Sequence, residues 1–260
     1  MSEASNEYLL DVQNIGISFG GLRAVSGFSL RMPPRSLYGL IGPNGAGKTT
    51  AFNLLTGVYA PDTGSVHVQG RRVDGLRPFE IAHAGLARTF QNIRLFGELS
   101  VLDNVRMGAQ MRAPHGLTST SLRSGGYVAT ERGIDRHARE ILRIMGLAER
   151  EDSQARYLSY GDQRRLEIAR ALATGPTVLL LDEPAAGMNP REKSELMELI
   201  HFIRDRFALG ILLIEHDMKL VMSICEQITV LDHGETISVG SPEQVQKDSK
   251  VIEAYLGEPV

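Results

Sequence analysis

The chain has 260 residues, a formal net charge of −3 and one cysteine, Cys225. It carries no basic excess to neutralise a nucleic-acid backbone, so no nucleic-acid partner is expected, and its lone cysteine cannot form an internal disulfide, which fits a reducing compartment. No apolar run reaches membrane-spanning length, and residues 1–7 are polar and acidic, unlike a signal peptide.

In chain order, residues 8–12, 15–19 and 25–30 alternate as short strands, separated by the turn-prone Asn14 and by Gly20-Gly21. Residues 36–41 form an apolar strand, 50–56 a helix closed by Gly57, and 64–70 alternate again. Residues 112–133 are rich in Ser, Thr, Gly and Arg and lack periodicity, which predicts a surface insertion in a helical lobe. Residues 135–145 place Ala138, Ile141, Leu142 and Met145 on one helical face, with Gly146 as a stop. Residues 163–173 are a helix and 177–181 a continuous apolar strand. Residues 191–207 are a helix with Asn189 as N-cap, Pro190 in the first turn and Glu192 completing a capping box. Strands at 211–214 and 227–231 follow, and Ser241-Pro242-Glu243-Gln244 opens a last helix. The alternation predicts an α/β fold with a mostly parallel sheet covered on both faces.

Gly42-Pro43-Asn44-Gly45-Ala46-Gly47-Lys48-Thr49 fits G-x-x-x-x-G-K-[ST] and lies between a strand and a helix. Its glycines let backbone N–H groups turn inward around phosphates, and the helix start adds partial positive charge. Lys48 can reach the β- and γ-phosphates of a bound nucleotide. The Thr49 hydroxyl can ligate Mg²⁺, and Thr50 carries the nucleotide-binding loop into the helix. Leu179-Leu180-Leu181-Asp182-Glu183-Pro184 is a strand ending in two adjacent acids, where α/β sheets bind ligands. Asp182 would hold Mg²⁺ through its water shell, and Glu183 would orient and deprotonate the attacking water; phosphoryl transfer asks for such positioning. Alone, each motif has a bland alternative, a Gly-rich turn or a solvated acidic turn. Their joint presence in the right context argues against both. None of the seven histidines has metal-ligand spacing.

Leu158-Ser159-Tyr160-Gly161-Asp162, just before the helix at 163–173, resembles the signature motif of the ATP-binding cassette (ABC) family, Leu-Ser-Gly-Gly-Gln. With the two motifs above, the resemblance covers nearly the whole chain. It implies one α/β P-loop NTPase domain of the ABC type over 1–260. The nucleotide-binding core, with a small antiparallel β subdomain, would span 7–91 and 165–240. A helical signature subdomain would span 92–164, and a C-terminal helix 241–260. It also implies that Ser159 and Gly161 cap the γ-phosphate of ATP held by a second cassette, in a head-to-tail dimer. Tyr160 stands where glycine is usual and Asp162 where glutamine is, which puts a glycine-like geometry at Tyr160 in question. Gln91 would meet Mg²⁺ and water, His216 the γ-phosphate, and Phe19 the adenine. Residues 186–189 would touch the opposing cassette, with Asn189 where aspartate is common.

Residues 19–25, 88–91, 160–170, 215–222 and 254–257 resemble one branch of the family, the ATPase subunits of bacterial importers for branched-chain amino acids. This implies a peripheral subunit on the cytoplasmic face of the inner membrane. It would sit on two transmembrane permease subunits and pair with a second ABC ATPase subunit, a related chain or itself. An extracytoplasmic amino-acid-binding protein would act indirectly. A lipopolysaccharide-export ATPase shares several patterns, so export, other amino acids, urea and non-transport ABC ATPases stay open as alternatives. Ile93, Leu95, Phe96, Leu99 and Val101 either form a groove for a short permease helix or pack the helical lobe's own core.

Overall fold

The computed structural model describes residues 7–112 and 125–256. Its centre is built from short, mostly apolar strands: β3 (Leu37–Ile41), β7 (Val178–Asp182, apolar up to its last residue) and β8 (Gly210–Ile214), with every residue of β7 and β8 buried. Strands this apolar need cover on both faces. With β6 (Leu86–Arg88) and β9 (Gln227–Asp232) they form a parallel block in the order β9-β3-β8-β7-β6. Beyond β9 the sheet continues through β10 (Glu235–Gly240), β2 (Leu22–Met32), β1 (Leu10–Phe19), β4 (Thr63–Val68) and β5 (Arg71–Arg72). The four strands from β5 to β2 pair antiparallel. The predicted α/β class with a mostly parallel core is therefore present.

Alternate residues feed two cores, as the two-residue period of a strand requires. Leu180, Leu212 and Leu40 face α1 (Lys48–Leu55) and α2 (Pro78–His83), under the antiparallel strands. Leu179, Leu181 and Leu213 face the other way, into a larger cluster. That cluster draws on α3 (Val101–Gln110), α4 (Gly125–Ile144), α5 (Tyr160–Ala173) and α6 (Pro190–Phe207). It also takes in α7 (Met218–Ile224), α8 (Pro242–Lys247) and α9 (Ser249–Leu256). The capping box at Asn189 and Glu192 forms as expected, with Pro190 in the first turn.

Four local expectations are corrected. Asn14 does not separate two strands; it is a bulge inside β1, held at φ 49° by exchange of hydrogen bonds with the Ser29 hydroxyl. The aperiodic stretch 112–133 is helical from Gly125, and its residues 113–124 lie outside the described residues. The C-terminal helix is two short helices, parted at Asp248, whose ψ of 119° breaks the first. A helix over 101–110 was not anticipated. Ser100 caps it by accepting from the Asp103 N–H, and the buried Asn104 side chain pins Phe96 by bonding both its N–H and its carbonyl.

Cys225 ends α7 with its thiol buried against the sheet; burial foremost, then the neighbouring Glu226 charge, pushes its pKa up to about 12. The edge strand β6 is tied to β7 by a buried ion pair, Arg88 Nη2 to Asp182 Oδ2 at 2.7 Å, with both side chains 6 % exposed. Arg88 also donates to Asn53 Oδ1 at 2.7 Å and lies against the rings of Phe52 and Phe90. Removing one partner strands the other's charge in a medium that solvates it poorly. Arg88→Ala is accordingly expected to lower unfolding free energy by about 3–5 kcal/mol, measured by chemical denaturation. Arg31→Ala, in the exposed pair with Asp11, should leave the curve nearly unchanged.

Candidate active site

β3 ends at Ile41 and α1 begins at Lys48, so the Gly-rich loop fills the gap between a strand end and a helix start. Two of its glycines are demanded by close approach. A Cβ on Gly42 would stand 2.0 Å from the Leu231 carbonyl oxygen, and one on Gly47, at φ 100°, would stand 2.5 Å from that of Ala24. The loop is also held from outside: the Gly234 N–H, in the turn between β9 and β10, donates to the Ala46 carbonyl at 3.0 Å. Lys48 Nζ reaches back to the carbonyls of Gly42 at 2.7 Å and Pro43 at 2.8 Å. Burial lowers the Lys48 pKa, and the carboxylates of Glu183 and Asp182 oppose that shift. A cavity of about 300 Å³ opens beside the loop, lined by Gly45 to Thr50, by Leu22 to Ala24 and by His233 and Gly234.

Glu183 follows β7 directly, at φ 47°, with its N–H donated to the Ile214 carbonyl at 2.9 Å. A non-glycine residue in that region is strained, and such strain clusters at working sites. Its Oε2 accepts from Gln91 Nε2 at 2.9 Å and lies 3.5 Å from His216 Nδ1. These three side chains come from the ends of three adjacent parallel strands, β6, β7 and β8. Beneath them Glu215 is buried; burial pushes its pKa up, opposed first by the Ala185 N–H that it accepts at 2.9 Å. Glu215 thus ties the end of β8 to the loop after Glu183.

Ser159 and Gly161 do not line this cavity, and neither do Gln91, Asp182, Glu183 and His216. Ser159 caps α5 by accepting from the Asp162 N–H at 3.2 Å. Tyr160 is an ordinary first helical residue and not one of the positive-φ positions, so no glycine-like geometry is needed there. Phe19 ends β1, 44 % exposed and packed edge-on to Tyr59, and it too stands outside the cavity lining. Sequence reasoning missed Arg88 on Asp182, the Arg164–Glu167 pair described below, and the cavity wall at His233-Gly234. The last had a readable signal: His-Gly between two strand-like runs is a tight-turn pattern, and both residues adopt positive φ.

The loop suits a nucleotide's phosphates: at Gly45 a Cβ would meet no atom within 4 Å, so the backbone is open there. Among the described residues no cluster of three or more His, Cys, Asp or Glu could hold a metal. Thr49, Gln91 and Asp182 are hard oxygen donors of the kind Mg²⁺ combines with water and phosphate oxygens, so the residues present fit that ion.

The model of the ABC transporter family matches residues 25–186, and that of the branched-chain amino acid ATP-binding cassette transporters matches 235–260. The chain is 47 % identical over 251 residues to the high-affinity branched-chain amino acid transport ATP-binding protein LivG of Escherichia coli, covering 96 % of this chain and 98 % of the relative. The lipopolysaccharide export system ATP-binding protein LptB of E. coli is more distant, 32 % identical over 249 residues, covering 96 % and 97 %. Among solved structures, the ADP conformation of MJ1267, an ATP-binding cassette of an ABC transporter, superposes with a TM-score of 0.84 at 30 % identity, covering 96 % of this chain and 99 % of that one. Among the described residues no helix is long and apolar enough to cross a membrane. The chain belongs to the ABC transporter family and is one of its ATP-hydrolysing ATP-binding cassettes.

Proposed function

We propose that the chain powers an importer for branched-chain amino acids, from the cytoplasmic face of the inner membrane. The observation that carries the hydrolytic chemistry is the convergence of Gln91 and His216 on the Glu183 carboxylate. The import assignment rests on the 47 % identity to LivG against 32 % to LptB over the same share of the chain, and on the match at 235–260.

In this reading the loop from Gly42 to Thr49 and the start of α1 wrap the β- and γ-phosphates. Lys48 exchanges its carbonyl partners for phosphate oxygens. Thr49, Gln91 and, through water, Asp182 would hold Mg²⁺, which would supply charge neutralisation at the phosphates. Glu183 takes the proton of the water that attacks the γ-phosphorus; the bond to the bridging oxygen breaks, and ADP and phosphate leave. Gln91 and His216 hold that carboxylate from two sides, and Phe19 offers a ring to adenine. Ser159 and Gly161 cap ATP held by a second ABC ATPase subunit, so each site needs two chains.

The permease subunits dock at an apolar groove of about 440 Å³ lined by Val58, Pro78, Phe90, Phe96, Met107 and Met111. Of the five candidate apolar residues, Phe96 lines it, 48 % exposed, while Val101 is buried in the core. Two permease subunits and an extracytoplasmic amino-acid-binding protein complete the assembly.

Glu183→Gln is expected to bind ATP normally but turn over at least about 100-fold more slowly and to accumulate a closed dimer on size-exclusion chromatography. Turnover near wild type would reassign the base. Lys48→Ala should weaken ATP binding about 10-fold or more, the worth of a charged hydrogen bond, by fluorescent-nucleotide titration; equal affinity would remove Lys48 from the phosphate site. Phe96→Asp should abolish leucine uptake while basal ATPase persists, and intact uptake would rule out the groove. Tagged Glu183→Gln protein with ATP and Mg²⁺ should recover two membrane-spanning subunits and a second ATPase from solubilised membranes. A homodimer alone would argue for a non-transport ATPase.

A further inference from the structure

The segment after β6 has a backbone problem. Residues 90–94 are neither strand nor helix, yet they run against the buried side of α5. Buried N–H and carbonyl groups need partners. Here they come from two side chains of α5, Arg164 and Glu167, each 2 % exposed. Arg164 Nη1 donates to the Phe90 carbonyl at 2.7 Å and to Glu167 Oε2 at 3.1 Å, and Nη2 donates to the Gln91 carbonyl. Glu167 Oε1 accepts from the N–H groups of Phe90 at 3.3 Å and Arg94 at 3.4 Å. The pair therefore grips Gln91 by its backbone on one side while the Gln91 side chain holds Glu183 on the other.

A buried ion pair is a poor way to gain stability, because removing two charges from water costs about as much as their attraction returns. Burial pushes the Glu167 pKa up, against the N–H groups and the guanidinium that favour its charge. What the pair supplies is direction: a planar fork that meets two successive carbonyls and a carboxylate at once. A third contact extends it. Arg164 Nη2 also donates to the Tyr160 hydroxyl at 3.1 Å. The Tyr160 ring lies close to Gly187, where a Cβ would stand 3.4 Å from its Cε1, in the loop that follows Glu183. Contacts thus close a circuit from the start of α5 through Arg164, Gln91 and Glu183 to the 185–188 loop and back to Tyr160.

We propose that Arg164 and Glu167 are positioning residues that hold Gln91 against Glu183, so that the signature helix sets the geometry of its own chain's catalytic carboxylate. This rests on the roles given to Gln91 and Glu183 above.

The test is steady-state ATP turnover by the full chain carrying Arg164→Lys, Gln91→Ala or both, with kcat expressed per nucleotide site counted by fluorescent-ATP titration. Lysine keeps the charge but cannot bridge the same acceptors. Arg164→Lys is expected to lower kcat about 3- to 30-fold, with KM for ATP within about 2-fold of wild type. In the Gln91→Ala background the same change should have no further effect, because the two act in series. Wild-type kcat in Arg164→Lys, or a double variant whose loss is the product of the single losses, would overturn the proposal. Full turnover in Gln91→Ala alone would overturn the Gln91 assignment and this proposal together. Should Arg164→Lys not fold, Glu167→Gln keeps an oxygen for the Phe90 and Arg94 N–H groups, and must show the same non-additivity with Gln91→Ala.

Discussion

The site depends on the shared direction of four adjacent strands. β3, β8, β7 and β6 run parallel and side by side, so whatever follows each of them emerges on the same edge of the sheet. The phosphate loop follows β3, His216 follows β8, Glu183 follows β7 and Gln91 follows β6. Gln91 and Glu183, 92 positions apart in the chain, are brought to one edge by that direction. The register is pinned by two buried faces: a one-residue slip of β7 would exchange Leu179 and Leu181 with Val178 and Leu180, turning each set into the wrong core.

Charge is buried beside this edge in a particular way. Arg88 meets Asp182, Arg164 meets Glu167, and Glu215 is held by backbone N–H groups. The floor of the apolar groove is made from some of the same residues: Arg88, Phe90 and Glu167 all line it. The groove and the catalytic edge are therefore two sides of one thin layer of side chains, without a separate relay between them. A shift in how something sits in the groove would press on the partners of Asp182 and Gln91 first.

What was legible in the sequence was local. The phosphate loop and the Asp182-Glu183 strand end are contiguous, with their meaning carried by neighbours a few positions away. The caps at Asn189 and Ser241 were readable for the same reason. What was not legible was paired at long range: Arg88 with Asp182 are 94 positions apart, and Arg164 with the Gln91 carbonyl 73. β6 has three residues, too few to show a period. Asn14 misled because a turn-prone residue also suits a bulge, and α4 began earlier than expected because Gly125 and Gly126 mask its periodicity. Ala208 closes α6 in the left-handed conformation without glycine, a stop with no compositional signal.

The burial of Cys225 leaves the folded chain without an accessible thiol. Its thiol is the only one in the chain and is packed within reach of Gly39, where a Cβ would lie 3.2 Å from its sulfur. With that thiol held far from its ionised form, thiol-directed dyes and spin labels find nothing to attack on the folded surface. A cysteine placed at an exposed position away from the nucleotide cavity, such as Phe202, becomes the one accessible thiol in an otherwise unmodified protein. The opening and closing of two cassettes could then be followed as a distance, one label per subunit, without first rebuilding the core.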